Sequence, residues 1–296
     1  MSAAKKRMQA EVSMLLVAAI WGSTFVVVKN ALQEIGPFLF LGLRFLLAFL
    51  ILLILSFPCI KKTNRHTLLA GGLLGLFLFI GYVFQTIGLK YTTSTNAGFI
   101  TGISVVLVPI IFSLLYRQRP TVSTTITVIL AATGLFFLSF PRNSFSLAYG
   151  DFLVLICAFG FAFHIIFVDR YSHQHNAIAI TAVQILFVGI LSLLIGLINE
   201  PWPEHFSANL LTALFITAVF ATSLAFLLQN ALQKYSTPTR IAIVLTTEPI
   251  FAALAGYLWA EEILSHRAMF GAGLILVSML ISILTRKSKN LIEANA

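Results

Sequence analysis

Glu248 is the side chain whose position most demands a chemical explanation, because it sits in an apolar stretch and is followed directly by Pro249. A carboxylate in such surroundings must pair with a cation, bond a neighbouring helix or take up a proton. Pro249 offers no backbone N–H, and its ring disfavours helix at the residue before it. A helix here should therefore break, freeing carbonyls around Leu245. Thr246, Thr247, Glu248 and those carbonyls form a candidate polar site that could couple or gate a binding event. Pro109 predicts a second break, without a carboxylate. Arg44 is a charge in a run of Leu and Phe. An ion pair with Glu248 would relieve the desolvation cost of both, and attraction of an anionic solute group is the sharper alternative.

Four further stretches share an aromatic residue followed three positions later by a polar one. These are Trp21 with Thr24, Tyr82 with Gln85, Phe161 with His164 and Phe226 with Gln229. Residues at i and i+3 lie on one helix face. Turned inward, the four faces would wall a chamber with flat apolar surfaces and a few hydrogen-bonding groups, suited to an amphipathic organic solute. The chain holds 27 Phe, so some aromatics must instead face outward. His164 is a candidate proton shuttle or a hydrogen bonder to a neighbouring helix. Asn96 and Asn230 complete the candidate binding set. Like Gln184, they read equally as links between helices. No metal-ligand spacing occurs, and the two cysteines, Cys59 and Cys157, give no disulfide framework. The phosphate-cradling pattern GxxxxGK[ST] and the motifs GxSxG and HExxH are absent, so neither nucleotide hydrolysis, a cofactor nor an enzyme is expected.

The elements that must position these residues are ten apolar stretches, at 12–30, 37–58, 67–89, 94–116, 121–140, 148–169, 177–198, 209–233, 237–259 and 267–285. About 20 residues cross a hydrocarbon core of about 30 Å as a helix. Hydrophobic residues make up 59% of the chain and charged residues 10%, against about 25% charged in soluble domains. All ten stretches must be helices, because lipid offers backbone groups no partner, and their continuous apolarity excludes the alternation of a β-barrel. The fold class is thus an all-α polytopic membrane protein, with the first stretch kept as a span rather than a cleaved signal. On this reading Glu248 lies near the midplane. Arg44 is about 10 Å inside the second span, about 6 Å from Glu248 along the membrane normal.

Lys and Arg flanking the stretches set the orientation. Thirteen fall on one side, among them Lys5, Lys61, Arg117, Lys234 and Arg286, and four on the other: Lys29, Lys90, Arg142 and Arg267. The richer side should be cytoplasmic, which puts both termini inside. The net charge of +9 belongs to this asymmetry and forms no nucleic-acid patch.

Halving the chain exposes an internal repeat. A shift of 140 residues lays Glu11 on Asp151, Trp21 on Phe161, Lys29 on Asp169, Arg44 on Gln184 and Pro109 on Pro249. A shift of 144 lays Gln85 on Gln229 and Lys90-Tyr91 on Lys234-Tyr235, so the first half holds one more helical turn between that pair and its proline. Five spans per half is an odd number, so the second half enters the membrane inverted. Inverted repeats are an architecture of secondary transporters, with the site between the halves. Small residues at Gly71, Gly72 and Gly75, at Gly98 and Gly102, and at Ala252, Ala253 and Gly256 predict close helix contacts.

The stretch Lys90-Tyr91-Thr92-Thr93-Ser94-Thr95-Asn96-Ala97-Gly98-Phe99, leading to Val108-Pro109, resembles the first half of an EamA-type member of the drug/metabolite transporter superfamily. Lys234-Tyr235-Ser236-Thr237-Pro238-Thr239-Arg240 and Glu248-Pro249-Ile250-Phe251-Ala252-Ala253-Leu254 resemble the second half. Trp21-Gly22-Ser23, Gly150-Asp151, Glu261-Glu262 and Gly271-Ala272-Gly273 fit the same pattern, whereas Arg117-Gln118-Arg119-Pro120 stands where many relatives carry an acidic residue. The resemblance implies ten helices, cytoplasmic termini and alternating-access transport of a small metabolite, often outward. The expected organisation is a cytoplasmic N-terminus (1–11), a first repeat (12–140), a periplasmic linker (141–147), a second repeat (148–285) and a cytoplasmic tail (286–296). The expected function is export of a small amphipathic metabolite, such as an amino acid, across the cytoplasmic membrane. Its partners are that solute, membrane lipid and candidate coupling protons. Uptake or exchange of a vitamin, nucleotide-like or sugar-like solute is the rival, and a non-transporting receptor or scaffold is the alternative of another class.

Overall fold

The computed structural model describes residues 3–61, 63–139, 148–259 and 265–284. The expected linker at 141–147, the tail at 286–296 and the pair Glu261-Glu262 lie outside the described residues. Helices α1 (Ala3–Ala31), α2 (Pro37–Lys61), α3 (Arg65–Leu89), α4 (Ser94–Gly102), α5 (Ser104–Tyr116) and α6 (Val122–Ser139) form the first half. The second half holds α7 (Tyr149–Ser172), α8 (Ala177–Asn199), α9 (Ala208–Ile216), a π-helical stretch Thr217–Leu224, α10 (Ala225–Leu232), a 3₁₀ turn Gln233–Tyr235, α11 (Pro238–Leu245), α12 (Glu248–Trp259) and α13 (His266–Leu284). Among the described residues, nine segments are long and apolar enough to cross a membrane, and α6 is a shorter apolar helix. Helix α1 starts well before its apolar stretch, because Ala, Lys, Arg, Met and Gln between Ala3 and Ala10 are all good helix formers.

The two broken spans repeat each other. At a shift of 144, Ser94 falls on Pro238 and Ser104 on Glu248, so α4 and α5 start where α11 and α12 start. In the second half the break covers Thr246 and Thr247, directly ahead of Pro249, as the proline predicts. In the first half it falls at Ile103, and Pro109 lies inside α5. The extra turn between the Lys-Tyr pair and the proline is therefore a turn of α5, and it carries Pro109 away from the break.

The halves interleave instead of packing side by side. Helix α2 lies along α8, α3 along α7 and α8, α6 along α13, and α1 along α12. Glycines permit this approach: a Cβ on Gly160 would come 2.8 Å from the Gly81 nitrogen, and one on Gly134 would come 2.7 Å from the Gly271 carbonyl. Of the predicted glycine run on α3, Gly71 meets Val183 and Gly75 meets Phe187, but Gly72 faces open space. Gly98 sits against Ala252 and Gly102 against Leu135.

A carboxylate–hydroxyl link ties one half to the other at each end of the bundle. At the N-terminal end, buried Glu11 accepts hydrogen bonds from Ser236 Oγ (2.9 Å) and Arg240 Nε (2.7 Å), and Arg240 Nη2 reaches the Ile283 carbonyl at 2.8 Å. At the opposite end, buried Asp151 accepts from Thr92 Oγ1 at 2.5 Å and from the Ala148 N–H at 2.9 Å, while Lys29 Nζ donates to the Thr92 carbonyl at 2.9 Å. Glu11 and Asp151 correspond under the shift of 140, and Ser236 and Thr92 under 144.

Glu200 makes a further link. Its carboxylate accepts from the N–H groups of Phe38 (3.0 Å) and Leu39 (2.8 Å), which the first turn of α2 cannot pair internally. Glu200→Ala should therefore lower stability by about 1 kcal/mol, read as a fall in Tm of the detergent-solubilised protein. An unchanged Tm would remove this cap from the account.

Candidate functional site

A cavity between the halves is lined from both of them. Trp21 and Thr24 come from α1, Arg44 from α2, Tyr82 and Gln85 from α3, Phe161 and His164 from α7, and Phe226 and Gln229 from α10. All four aromatic–polar pairs read from the sequence thus meet at one place. The ends of the four half-helices meet there too: Gly102 closes α4, Ser104 opens α5, Leu245 closes α11 and Glu248 opens α12. Free space for water-sized molecules amounts to about 60 Å³, enough for a few waters at about 10–15 Å³ each.

The walls are aromatic. Trp21 packs on Phe226 with ring centroids 5.3 Å apart, and Tyr82 meets Phe161 edge-on at 5.3 Å and Phe226 at 6.0 Å. Phe45, behind them, packs edge-on against Tyr82 at 5.0 Å.

Arg44 does not pair with Glu248. Its Nε donates to Thr222 Oγ1 at 2.8 Å, and its Nη2 donates to Tyr82 Oη at 3.3 Å and to the Ala221 carbonyl at 3.4 Å. The guanidinium also lies over the Tyr82 ring, 4.7 Å from its centre. The reason is the π-helical stretch. Its wider register sends the Ala225 N–H to the Phe220 carbonyl, and the Ala221 carbonyl accepts from both Arg44 and Trp21 Nε1, the latter at 2.8 Å. Arg44 and Glu248 line the same cavity, but the π stretch supplies Arg44 with neutral partners closer by.

Glu248, 8% exposed, has no hydrogen-bond or ion-pair partner for its side chain among the described residues. Thr246 and Thr247 do not join it. Their hydroxyls turn back to the carbonyls of Ala242 (2.9 Å) and Val244 (2.8 Å), satisfying groups that the break leaves exposed. Gly22 explains how α12 comes so close to α1: a Cβ there would collide with the Glu248 carbonyl oxygen and lie 2.7 Å from Phe251 Cβ.

Other candidates are already satisfied. Thr24 Oγ1 donates to the Trp21 carbonyl at 2.8 Å, Gln85 Nε2 to Thr101 Oγ1 at 3.0 Å, and His164 Nε2 bonds Gln184 Oε1 at 2.9 Å. Asn96 and Asn230 stand outside the cavity lining. The Asn96 N–H is capped by Thr93 Oγ1, while Asn230 Nδ2 bridges to Thr181 on α8 at 3.0 Å and so links helices. Sequence reasoning missed Thr222, Thr101 and Ser104. The shift of 144 that carries Ser104 onto Glu248 was the one signal that could have found the last of these.

Two copies of one family description, the EamA-like transporter family, match residues 8–140 and 148–284. The chain belongs to the EamA-like transporter family. The resemblance read from the motifs, to an EamA-type drug/metabolite transporter, is thereby borne out. An Archaeoglobus fulgidus protein named as a transporter is 40% identical over 93% of this chain and 86% of its own length. The Bacillus subtilis transporter YetK is 27% identical over 96% and 89%. A chloroplastic WAT1-related protein of Arabidopsis thaliana is 24% identical, covering 88% of this chain and 66% of its own. A crystal structure with a TM-score of 0.77 and 16% identity, covering 98% of this chain and all of its own, shares the fold. This EamA-like chain is therefore a multi-pass membrane transporter, and these names point away from an enzyme.

The contact of Gly22 with the broken helix gives a test of the site's construction. Gly22→Ala should cost about 1–3 kcal/mol through overpacking, seen as a lower Tm, because backbone atoms of α12 stand where the methyl must go. A variant as stable as wild type would show that α12 does not press on α1 there.

Proposed function

We propose that the cavity binds a small amphipathic metabolite, an amino acid or a related compound, and that the protein exports it across the cytoplasmic membrane by alternating access. The observation that carries this reading is the cavity itself: aromatic-walled, built from both halves at the meeting point of two helix breaks, and holding a carboxylate with no partner among the described residues. Interrupted helices with polar ends turned toward a site between inverted halves are how secondary transporters hold solutes away from lipid. Solute entry and release on opposite sides require the halves to part first at one end and then at the other.

The two carboxylate–hydroxyl links support the alternation. Parting the halves at the N-terminal end breaks the hold of Glu11 on Ser236 and Arg240, and parting them at the other end breaks that of Asp151 on Thr92. The excess of Lys and Arg on the side of the N-terminus supports cytoplasmic termini. Among the described residues of the cavity lining, Arg44 is the one Lys or Arg, which disfavours the multiply anionic, nucleotide-like solutes. Protonation of Glu248, or its exchange between solute and proton, supplies a bias between the two access states.

Counterflow of labelled amino acids in liposomes containing the purified protein tests this reading. Wild type should exchange at least one of them, and Glu248→Gln and Trp21→Ala should each lower its initial rate at least tenfold. Wild-type rates in both variants would contradict the assignment of the cavity.

A further inference from the structure

An amide side chain can present either its oxygen or its nitrogen, and only its partners fix which. In this cavity they fix Gln229. The chain of partners begins at the Ile165 carbonyl on α7, which can only accept. Gln233, fully buried one turn beyond Gln229, must therefore turn its Nε2 to that carbonyl, at 2.5 Å. Its Oε1 is then left to accept from Gln229 Nε2, at 3.1 Å. Gln229 is 1% exposed and lines the cavity, and its Oε1 has no partner among the described residues. The relay thus leaves a buried, obligate acceptor on a side chain that lines the cavity.

Several donors around it are committed, while the Tyr82 and Ser104 hydroxyls and Arg44 Nη1 donate to no described group. Trp21 Nε1 and Arg44 Nε and Nη2 bond the π-helical stretch and Tyr82, and His164 Nε2 bonds Gln184. The polar groups with capacity to spare include two acceptors, the Glu248 carboxylate and Gln229 Oε1. The rings of Trp21, Tyr82, Phe161 and Phe226 stand around the same space, and aromatic faces attract cations.

We propose that Glu248 and Gln229 Oε1 together receive a protonated amine on the solute, with Gln233 as the positioning residue that holds Gln229 in its accepting orientation. This deepens the carrier reading and rests on it. The substrate class is an organic ammonium compound with an apolar or aromatic body. Arg44 Nη1, which donates to no described group, is available to a carboxylate on the same molecule.

The test is equilibrium binding to the full-length protein in detergent, read by tryptophan fluorescence and by ligand-induced shift in Tm. Three probes share a phenyl ring and differ in charge: phenethylamine, phenylalanine and 3-phenylpropionate. Wild type should bind the two amine-bearing probes at least tenfold more tightly than 3-phenylpropionate. Gln233→Met and Gln229→Met should each reduce that preference at least fivefold, with folding checked by Tm without ligand. Equal or tighter binding of 3-phenylpropionate, or no binding of either amine, would overturn the proposal on wild type alone. An undiminished preference in a folded Gln233→Met protein would overturn the role of the relay. Counterflow with a pooled metabolite mixture separates these failures from failure of the carrier reading, since exchange of any solute leaves a carrier with a different specificity.

Discussion

Hydrocarbon cannot satisfy a polar group, and the arrangement of this protein follows from that constraint. Thr246 and Thr247 return their hydroxyls to the carbonyls of the broken helix, the π-helical stretch directs a carbonyl at Trp21 and Arg44, and Glu11 and Asp151 each find a hydroxyl in the opposite half. Each satisfied group fixes the position of a helix. Among the groups left over, the Glu248 carboxylate and the Gln229 side chain line one cavity, whereas Gln184 Nε2, Ser192 Oγ and Asn230 Oδ1 are left over away from its lining. A buried polar group without a partner costs about 1–3 kcal/mol, and in the proposed function the arriving solute supplies that partner.

The inverted repeat supplies paired parts and then makes them unequal. Both halves break a span at corresponding positions, so Ser104 and Glu248 open half-helices at equivalent places on the cavity. One is a neutral hydroxyl and the other a carboxylate. Arg44 and Gln184 diverge similarly: the first is held by Thr222 and Tyr82, the second by His164. The links at the two ends differ as well, since Arg240 reinforces Glu11 directly whereas Lys29 donates to the Thr92 backbone beside Asp151. Under the proposed alternating access, equivalent halves would open equivalently at either face, and unequal charges would let solute and protons favour one of them.

The number of apolar spans to within one, and the repeat, were legible in the residues because membrane thickness imposes a length and duplication leaves a register. The inward aromatic–polar pairs were legible for the same reason, as i,i+3 spacing on a span allows few other faces. Rotation about a helix axis was not. Arg44 and Glu248 line one cavity, yet no pattern in the sequence announces the π-helical stretch that turns Arg44 toward Thr222. Pro109 misled because a proline marks a break only when the preceding turn is also unsupported, and α5 carries it one and a half turns beyond Ile103. Gln233 escaped notice because its role depends on the Ile165 carbonyl, a backbone group that sequence does not display.

The central claim is that one cavity opens to each face of the membrane in turn. Thr101 lines that cavity, and Cys59 and Cys157 are the two native cysteines to remove. A Thr101→Cys variant in a Cys59→Ser, Cys157→Ser chain, placed in vesicles of known orientation, reports access through its reaction with a membrane-impermeant thiol reagent. The account predicts labelling from either face, slowed from both by a transported solute. Labelling from one face alone, with no change on adding solute, would contradict it.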